Sequence, residues 1–558
     1  MRSTLKRLLH TVRGAPDHAP VSAESVRDVV TVVRDHLADH DGLIVVLGPR
    51  RVPLLDALQT ACPRCTVVVP PAGVSERHVE LALLGPPDAI IDLGRPRGRL
   101  HRFRTTFFAL RPGGLYVIPD GGDELGSPNT GTDLGAFLAA AALRPARTLR
   151  RVHGYRLEDS FADVARMHLT ARASGAHLVL SHDLPGVLAK LDESEVDAWI
   201  DRSPGLDRVL HRIPAEAPPD ADVIAEGPRQ RTPSPNGPIS AAPIRLRDYR
   251  EAVVGVEQLV VTDRVLPPDT FRHNQRRVLR NRGVLDVGPR HGILAHPLPP
   301  DLPRLEGAYL HLDNEVRGHF GHAMTEVLSR MWSWPAAQEI DPDVRVLVSA
   351  SRGRPELADW EYRLYEAGGV PRDRIVRIDR AVRVERLLSG SPMLSNPEYI
   401  HPRIVETWDR VGDALAARTE ARARPGRLFV GRRIRKRACT NGAEVEAIFA
   451  DYGFEIVYPE EHSLGEQVAL FRAADVIAGY AGSGMFHIAM VPRPTHVIQV
   501  CSESYRARNE VLMAAARGHR IDAVVCRANS HDLQSTFTFD VEQDGAYLRS
   551  ILDRLPRR

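Results

Sequence analysis

A histidine, a carboxylate and an arginine follow one another at intervals of four residues in the segment RGHFGHAMTEVLSRMW. They are His322, Glu326 and Arg330, and in a helix they would lie along one face. A histidine and a glutamate in contact hold a defined protonation state, which suits a general base that removes a proton from a hydroxyl group. Taken alone, the spacing is more often a solvated Glu326–Arg330 pair beside a core histidine. We predict a helix over 318–338, with Glu326 as the base and His322 as its partner or substitute.

A run of cations follows an apolar strand pattern in the C-terminal half. Arg432, Arg433 and Arg437 stand between the run at 427–430 and a helical pattern that begins near Asn441. Arginine can bind phosphate through two parallel hydrogen bonds, and a helix start adds the positive end of its dipole. The run therefore indicates a diphosphate site. The alternatives are a solvated basic loop and a nucleic-acid patch, although no aromatic residue in the run could stack on a base.

A glycine-rich turn, GYAGSGMFH, lies between a later strand pattern and the next helical pattern. Gly482, Ser483 and Gly484 are its central residues. Glycine lets the backbone approach a ligand, and a helix start offers free N–H groups to a phosphate. A tight turn between a strand and a helix needs glycine in any case, so this signal is weak by itself.

These candidate residues require a scaffold that brings strand ends together. From residue 427 onward, apolar strand patterns alternate with helical patterns, which predicts a parallel, doubly wound α/β sheet. Ser463 and Glu466 form a capping-box pattern that marks one helix start. Ligands of such sheets bind at the carboxyl ends of the strands, where the basic run and the glycine turn are expected.

The motifs together resemble glycosyltransferase family 61, including bacterial members labelled as capsular polysaccharide biosynthesis proteins. The matches cover about half the chain: His322 with Glu326, Arg432 with Arg437 and Asn441, the strand pattern ending at Glu460, the helix bearing Gln467, and the glycine turn. His319, Gly431 and His487 depart from the family's usual residues. The resemblance implies a GT-B fold of two facing α/β layers, and an inverting transfer from a nucleotide sugar to a hydroxyl acceptor without an essential metal or cofactor. It implies a donor-binding set of Arg432, Arg433, Arg437, Asn441, Glu460, Gln467, Gly482, Ser483 and Gly484.

The first 174 residues carry four short apolar runs bounded by breakers, which is typical of buried parallel strands. The segments GPPDAIIDLG and FFALRPGGLYVIPD resemble the later strands of a class I S-adenosylmethionine methyltransferase. That family has a glycine-rich turn after its first strand, whereas this chain has two prolines and two arginines in the turn 48–53. Proline lacks a backbone donor and arginine adds bulk. We expect a Rossmann-like domain that has lost its cofactor; an unrelated α/β domain is the alternative.

The predicted organisation is multidomain α/β with six parts. They are a methyltransferase-like domain at 1–174, a helical segment at 175–213, a proline-rich linker at 214–243, an acceptor-side domain at 244–423, a nucleotide-sugar-binding Rossmann-like domain at 424–530, and a C-terminal strand and helix at 531–558. The linker is dense in proline and polar residues, so we expect it to bury too little apolar surface to order itself.

The composition narrows the class of protein to which the chain can belong. The chain has 558 residues and a formal net charge of +3, so we expect several domains and no dedicated nucleic-acid binding. It has five cysteines. Their sparse use indicates a reducing, cytoplasmic setting, and the lone Cys62-x-x-Cys65 pair is expected to be idle. The short basic N-terminus leaves open a weak contact with the inner face of a membrane.

Three functions compete at this point. The first is a bacterial glycosyltransferase of polysaccharide or glycoconjugate biosynthesis, whose partners are a nucleotide sugar and a saccharide or other hydroxyl acceptor. The second is a bifunctional methyltransferase-glycosyltransferase, and the third is a non-catalytic scaffold that binds a nucleotide or sugar. A homo-oligomer is left open.

Overall fold

The structure is a computed structural model of the full chain. It describes 23–37, 40–49, 52–95, 98–120, 168–203, 205, 207–229, 237–275, 279–350, 356–417, 419, 426–434, 436–532 and 534–556, with residues 134, 137, 151–152 and 155–156. The basic N-terminus, residues 50–51 of the turn 48–53, and residues 230–236 of the predicted linker lie outside this part. The fold is mixed α/β with several sheets. The chain divides into two units: Met1–Pro204 with Asp263–Pro268 and Val278–Pro297, and the remainder.

Unit 1 is built on a six-stranded sheet. Four parallel strands come first, and an antiparallel hairpin completes one edge. In spatial order the strands are Cys65–Val68, Gly42–Leu47, Ala89–Asp92, Leu115–Ile118, His177–His182 and Leu169–Ser174. The helices are Ala23–Leu37, Val52–Ala61, Val74–Leu84 and Arg99–Thr106. Apolar residues on both faces of the central strands are buried, which explains their continuous apolar runs in the sequence.

The predicted helical segment 175–213 is wrong for most of its length. Of its described residues, only Glu193–Arg202 is helical, and this helix begins with a capping box formed by Asp192 and Glu195. Strands at His177–His182 and Arg208–Ile213 join the main sheets of units 1 and 2, respectively. Short strands are hard to distinguish from helix by periodicity alone. A small second sheet of unit 1 contains Val265–Leu266, Leu188–Lys190, His291–Leu294 and Val284–Asp286, in that order.

Unit 2 contains two larger sheets. The middle sheet has the order Arg208–Ile213, Ile244–Val254, Val382–Gly390, Arg304–His311, Arg345–Ser349 and Ile375–Ile378, with Val260–Val261 paired beside it. Its last four strands are parallel to one another. Its helices include Ser333–Ile340, Asp359–Ala367 and Ile404–Ala416.

The C-terminal sheet is parallel throughout its main path. Its order is Asp222–Ile224, Arg520–Ala528, His496–Ser502, Val476–Tyr480, Arg427–Val430 and Glu455–Val457, with Phe537–Thr538 antiparallel at one strand. The helical elements are Gly442–Asp451, Leu464–Ala473, Ser483–Met490, Asn509–Arg517 and Gln543–Leu552. One apolar core contains residues from the middle sheet and from this sheet, so the two layers of unit 2 pack on each other.

The predicted disorder of the linker 214–243 is wrong in its first half. Asp222–Ile224 adds a strand to the C-terminal sheet, with Val223 opposite Ile521, and Val223 is buried. A short strand next to an existing sheet edge gains backbone hydrogen bonds, so it needs few apolar residues of its own. Among the described residues, no helix is long and apolar enough to cross a membrane.

Because three histidines of unit 2 are buried, we predict that acid lowers the stability of the protein. Burial lowers the pKa of His311, His487 and His519 to about 4 each. In the unfolded chain each would titrate near its ordinary pKa of about 6.5, so between those values the unfolded state binds more protons. Their contribution to stability is therefore complete above pH 6.5 and is lost as the pH falls. We expect a loss of up to ~1.4 kcal/mol per pH unit for each histidine in that window.

Denaturant titrations at pH 7.5, 6 and 5 measure this loss. A matched variant is His487→Phe, which keeps an aromatic ring between Phe320 and Phe471 and removes one titrating group. It should show a shallower decline with pH. An unfolding free energy that stays constant from pH 7 to 5 would contradict the prediction.

Candidate active site

The segment that carries His322 and Glu326 is helical but irregular. It forms one α-turn at Phe320–His322 and a π-helical turn at Ala323–Val327, and a new α-helix begins at Ser333. Pro335 explains the restart, because it has no N–H to donate to the Met331 carbonyl. That carbonyl accepts hydrogen bonds from the Trp334 N–H at 3.3 Å and from Arg410 at 3.2 Å. The prediction of one continuous helix over 318–338 is thus wrong, because the segment is divided into separate helical pieces. π-Turns occur frequently at functional sites.

His322 and Glu326 are in direct contact. His322 Nδ1 lies 2.6 Å from Glu326 Oε1, and the same oxygen accepts a hydrogen bond from Arg272 Nε at 2.6 Å. The Glu326 side chain is 8% exposed. Burial raises the pKa of Glu326, but the charge of Arg272 and the contact with His322 outweigh burial and lower it well below its usual range. Glu326 is therefore an ionised acceptor with two partners.

The contact determines which nitrogen of His322 is available. Because the ionised carboxylate can only accept, Nδ1 carries the hydrogen, and in the neutral ring Nε2 has the lone pair. The hydrogen-bond partner of His322 among the described residues is Glu326, through Nδ1. This arrangement favours His322 Nε2 as the base and Glu326 as the group that orients it, which reverses the roles expected from the sequence.

Arg330 does not form the expected pair with Glu326. It is buried, and its Nη1 lies 3.5 Å from the backbone oxygens of Asp313 and Glu326. Arg272 takes that place instead, and the sequence pattern gave no indication of it. It lies 54 positions upstream in a segment without regular secondary structure.

The glycine turn of the C-terminal sheet lies against the start of this helical segment. A Cβ at Gly321 would be 3.0 Å from Ser483 Cβ, and the Phe320 ring stacks on His487 with centroids 5.5 Å apart. Gly482 has φ of +132° and its N–H donates to Glu510 Oε1 at 2.7 Å. Tyr505 donates to the same carboxylate. Glu510 therefore holds the backbone of the turn in place, and Tyr505 holds Glu510. The sequence analysis identified neither residue.

The basic loop extends beside the turn. Arg432 donates to the backbone oxygens of Arg437 at 3.2 Å and Ala481 at 2.5 Å, so it ties the loop to the turn. The guanidinium of Arg437 lies over the Tyr505 ring at 5.2 Å, and its Nε has no hydrogen-bond partner among the described residues. Arg433 is exposed, pairs with Glu461 at 2.7 Å and covers the Tyr458 ring.

His319 connects the two layers electrostatically. Its ring meets that of His322 with centroids 4.7 Å apart. The residue is exposed at the surface, but partial desolvation of its ring, followed by the charges of His322, Lys436 and Arg437, lowers the pKa of His319 to about 4. His319 is therefore neutral at physiological pH, and the histidine pair faces the basic loop.

Four further residues of the expected donor set have structural contacts. The Asn441 carboxamide exchanges hydrogen bonds with the Phe539 backbone at 2.9 and 3.0 Å. Gln467 Nε2 donates to the Pro459 and His462 oxygens at 2.9 Å each. Glu460 is exposed and accepts from the Arg433 N–H at 3.3 Å. Gly484 packs near Val430. Each of these contacts shapes the loops around the turn.

The end of one central strand of unit 1 is occupied by side chains of the protein itself. Asp92 closes the strand Ala89–Asp92 and accepts hydrogen bonds from Arg102 Nε at 3.0 Å, Tyr116 OH at 3.0 Å and the Gly94 N–H at 2.8 Å. The Arg102 guanidinium covers Gly94 so closely that a Cβ there would lie 2.3 Å from it. Cys62 and Cys65 are buried and free, and no metal-ligand cluster of three or more residues occurs in the described ranges.

Comparison with known proteins gives one family match. Residues 320–498 match the family model described as Glycosyltransferase 61, and that segment includes His322, Glu326, the basic loop and the glycine turn. No curated protein matches the chain in sequence.

Solved structures are similar only at a low level. The MycE methyltransferase from the mycinamycin biosynthetic pathway, in complex with Mg and SAH, is 18% identical with a TM-score of 0.21, covering 30% of this chain and 51% of its own. The iron-containing dodecameric glycosyltransferase TibC from enterotoxigenic E. coli is 12% identical with a TM-score of 0.21, covering 49% and 80%. The chain thus spans about half the length of the MycE structure. These scores support no functional assignment.

Proposed function

We propose that the protein transfers a sugar from a nucleotide-sugar donor to a hydroxyl acceptor, with inversion and without an essential metal, from the premise that residues 320–498, which match the Glycosyltransferase 61 family model, form a domain of that family. The observation that carries the proposal is the His322–Glu326 contact of 2.6 Å beside a glycine turn and its arginines. The cytoplasmic synthesis of a bacterial polysaccharide or glycoconjugate is the setting we propose for this reaction.

A single displacement fits the residues present. The acceptor hydroxyl gives its proton to His322 Nε2 as its oxygen attacks the anomeric carbon, and the bond from that carbon to the diphosphate oxygen breaks. Glu326 stabilises the imidazolium that forms, in the way a buried carboxylate supports a histidine base. The leaving diphosphate takes the electron pair, so nearby cations and N–H groups lower the barrier.

Arg437 is the cation best placed to meet the diphosphate. Its Nε lacks a partner among the described residues, whereas Arg432 is engaged with two backbone oxygens. The backbone N–H groups of Ser483 and Gly484 would add to the same site, because they begin the helical segment after the turn. We propose Arg432 as the residue that holds the loop in place.

Replacing Arg437 with alanine should weaken nucleotide diphosphate binding by about tens-fold, because a charge-assisted hydrogen bond contributes ~1.5–3 kcal/mol. Isothermal titration calorimetry with nucleoside diphosphates measures the change. Arg433→Ala is the matched control: it removes an arginine of the same loop that already pairs with Glu461, and its effect should be small. Equal losses of nucleoside diphosphate affinity in the two variants would contradict the assignment. They would indicate that the loop acts through its total positive charge rather than through Arg437.

Unit 1 should not bind S-adenosylmethionine. Asp92 accepts hydrogen bonds from Arg102 and Tyr116, and Arg102 fills the space beside Gly94, so the end of the strand Ala89–Asp92 offers neither a free carboxylate nor an open backbone. We expect no saturable heat in calorimetry of the full chain with S-adenosylmethionine up to about 1 mM. The full chain is required because unit 1 includes Asp263–Pro268 and Val278–Pro297. Saturable binding would revive the bifunctional alternative.

The proposed function as a whole is tested by ligand-induced stabilisation followed by turnover. A ligand at a hundredfold its Kd raises stability by ~2.7 kcal/mol, so thermal unfolding against a panel of nucleotides and nucleotide sugars should reveal the donor. Release of nucleoside diphosphate with a mixed saccharide acceptor pool, in the presence and absence of EDTA, then tests transfer and metal independence. Failure of every nucleotide to stabilise the protein would refute the proposal.

A further inference from the structure

Three loops meet at the carboxyl edge of the C-terminal sheet. The basic loop follows the strand Arg427–Val430, and the glycine turn follows the neighbouring strand Val476–Tyr480. The next strand of the sheet, His496–Ser502, leads into Tyr505. Because the strand of the glycine turn lies between the other two, Tyr505 approaches the turn from one side and the basic loop approaches it from the other.

The Tyr505 ring contacts a cation of the basic loop. The guanidinium carbon of Arg437 lies 5.2 Å from the centroid of the ring, and a cation over the face of an aromatic ring is attracted to it. Arg437 has φ of +54°, a left-handed conformation that residues other than glycine seldom adopt. The loop therefore holds Arg437 in an uncommon conformation, and the ring is a contact that fixes where its guanidinium lies.

The Tyr505 hydroxyl contacts the residue that holds the glycine turn. It lies 3.1 Å from both carboxylate oxygens of Glu510, and Glu510 Oε1 accepts a hydrogen bond from the Gly482 N–H at 2.7 Å. Tyr505 and Glu510 are both buried, so water competes little for these hydrogen bonds. Gly482 has φ of +132°, which only glycine adopts readily. The anchored N–H of Gly482 therefore helps to set the direction of the N–H groups of the next two residues.

The two contacts of Tyr505 converge at Gly482. A Cβ added to Gly482 would lie 2.6 Å from Arg432 Nη2 and 3.7 Å from Arg437 Nη2, so both guanidinium groups border the turn. Desolvation, followed by the charge of Arg437, lowers the pKa of Arg432, because like charges that lie close together disfavour each other. An anion bound beside them would relieve this repulsion, so the position of Arg437 relative to the turn matters for anion binding.

We propose that Tyr505 is a positioning residue for diphosphate binding. Its ring holds Arg437, and its hydroxyl holds Glu510, which in turn holds the backbone at Gly482. One side chain thereby sets the position of the cation relative to the N–H groups at the start of the helical segment. The cation and these N–H groups must face the same diphosphate for their contributions to combine. This inference rests on the function proposed above, in which the leaving group is a diphosphate.

Replacing Tyr505 with phenylalanine and with leucine separates the two contacts. Phenylalanine keeps the ring and removes the hydroxyl, whereas leucine removes both. Isothermal titration calorimetry of the full chain with inorganic pyrophosphate measures the effect, because this probe contains the diphosphate without a nucleoside or a sugar. We expect Tyr505→Phe to raise the dissociation constant about three- to tenfold, as the loss of one hydrogen bond would. Tyr505→Leu should raise it about two- to fivefold further, which is the strength of a cation–π contact.

The same substitutions in an Arg437→Ala background distinguish positioning from packing. Without the guanidinium the ring has no cation to hold, so Tyr505→Phe and Tyr505→Leu should then give equal dissociation constants. A difference between them as large as in the native background would show that the ring only packs against its neighbours, and would overturn the proposal. An unchanged dissociation constant in Tyr505→Phe would overturn it as well. Tyr505→Phe keeps the shape of the side chain, so its result stands even where Tyr505→Leu lowers the thermal unfolding midpoint.

Tyr458 supplies a matched control. The guanidinium carbon of Arg433 lies 4.0 Å from the centroid of its ring, and its hydroxyl donates to Glu446 at 2.7 Å. The same two kinds of contact are present, but the carboxylate is not the one that holds the turn. Tyr458→Phe and Tyr458→Leu should each change the dissociation constant of pyrophosphate by less than about twofold, and losses equal to those at Tyr505 would contradict the proposal.

The outcome for the native protein separates this inference from the proposed function. If the native protein does not bind pyrophosphate, the diphosphate site of the proposed function is refuted, and the inference fails with it. If the native protein binds pyrophosphate and the Tyr505 substitutions leave the dissociation constant unchanged, only the positioning function of Tyr505 is refuted.

Discussion

Replacing His322 with alanine is expected to lower kcat by roughly 10²–10⁴-fold, the range observed when a general base is removed. The acceptor hydroxyl would then have to lose its proton to water while the leaving diphosphate departs. Nucleotide binding should survive, because His322 contacts Glu326 rather than the glycine turn. Initial rates of nucleoside diphosphate release, measured with saturating donor, give the loss in kcat.

His319→Ala is the matched control for this experiment. His319 lies beside His322, with ring centroids 4.7 Å apart. In the described part of the chain the hydrogen bond to Glu326 comes from His322 and not from His319. We expect a reduction of less than about tenfold. Added imidazole should restore part of the activity of His322→Ala, since the vacated space next to Glu326 can admit it. If His319→Ala loses the activity and His322→Ala keeps it, His319 is the base.

The spacing of His322 and Glu326 predicted their contact correctly although the segment is not a regular helix. Residues four apart remain neighbours in an α-turn that widens into a π-turn, so the pattern survives the irregularity. The partner of Glu326 could not be predicted in the same way. Arg272 reaches the site from another part of the chain, and only the folded structure brings it within 2.6 Å.

The parallel sheet was predictable from residue 427 onward because each strand there is a separate apolar run followed by a helix. Its edge strand was not predictable. Asp222–Ile224 lies in a proline-rich segment and has one buried apolar residue, Val223. Its strand conformation therefore depends on backbone pairing with the neighbouring strand rather than on a hydrophobic pattern.

The donor set shows the limit of motif matching. Asn441 and Gln467 match the family pattern, and their side chains bind backbone groups of the surrounding loops. A motif identifies positions where a residue type is required, but the requirement can be the shape of a loop rather than contact with a ligand. The function we propose for Arg437 rests instead on a guanidinium nitrogen without a hydrogen-bond partner in the described part of the chain, and that of Ser483 and Gly484 on their place at the start of a helical segment.

Glu326→Gln should lower kcat by roughly 10²–10³-fold while leaving the affinity for nucleoside diphosphate unchanged. Glutamine keeps the shape and removes the charge that stabilises the imidazolium of His322 in the transition state. It can also present its N–H₂ group to Nδ1, which would favour the wrong tautomer of the ring. Steady-state kinetics together with calorimetry separates the effect on kcat from that on donor binding.

Arg272→Gln separates the role of Glu326 from that of the ion pair. In that variant Glu326 keeps its contact with His322, so we expect a loss of only about tenfold, from a less firmly held carboxylate. Glu326→Gln leaves the charge of Arg272, whose side chain is 22% exposed, without its counterion, so its thermal unfolding must be compared with that of the native protein. Equal kcat losses in the two variants would show that the ion pair, and not the charge on the histidine, is what catalysis needs. Loss of nucleotide affinity in Glu326→Gln would instead show that this helical segment faces the donor.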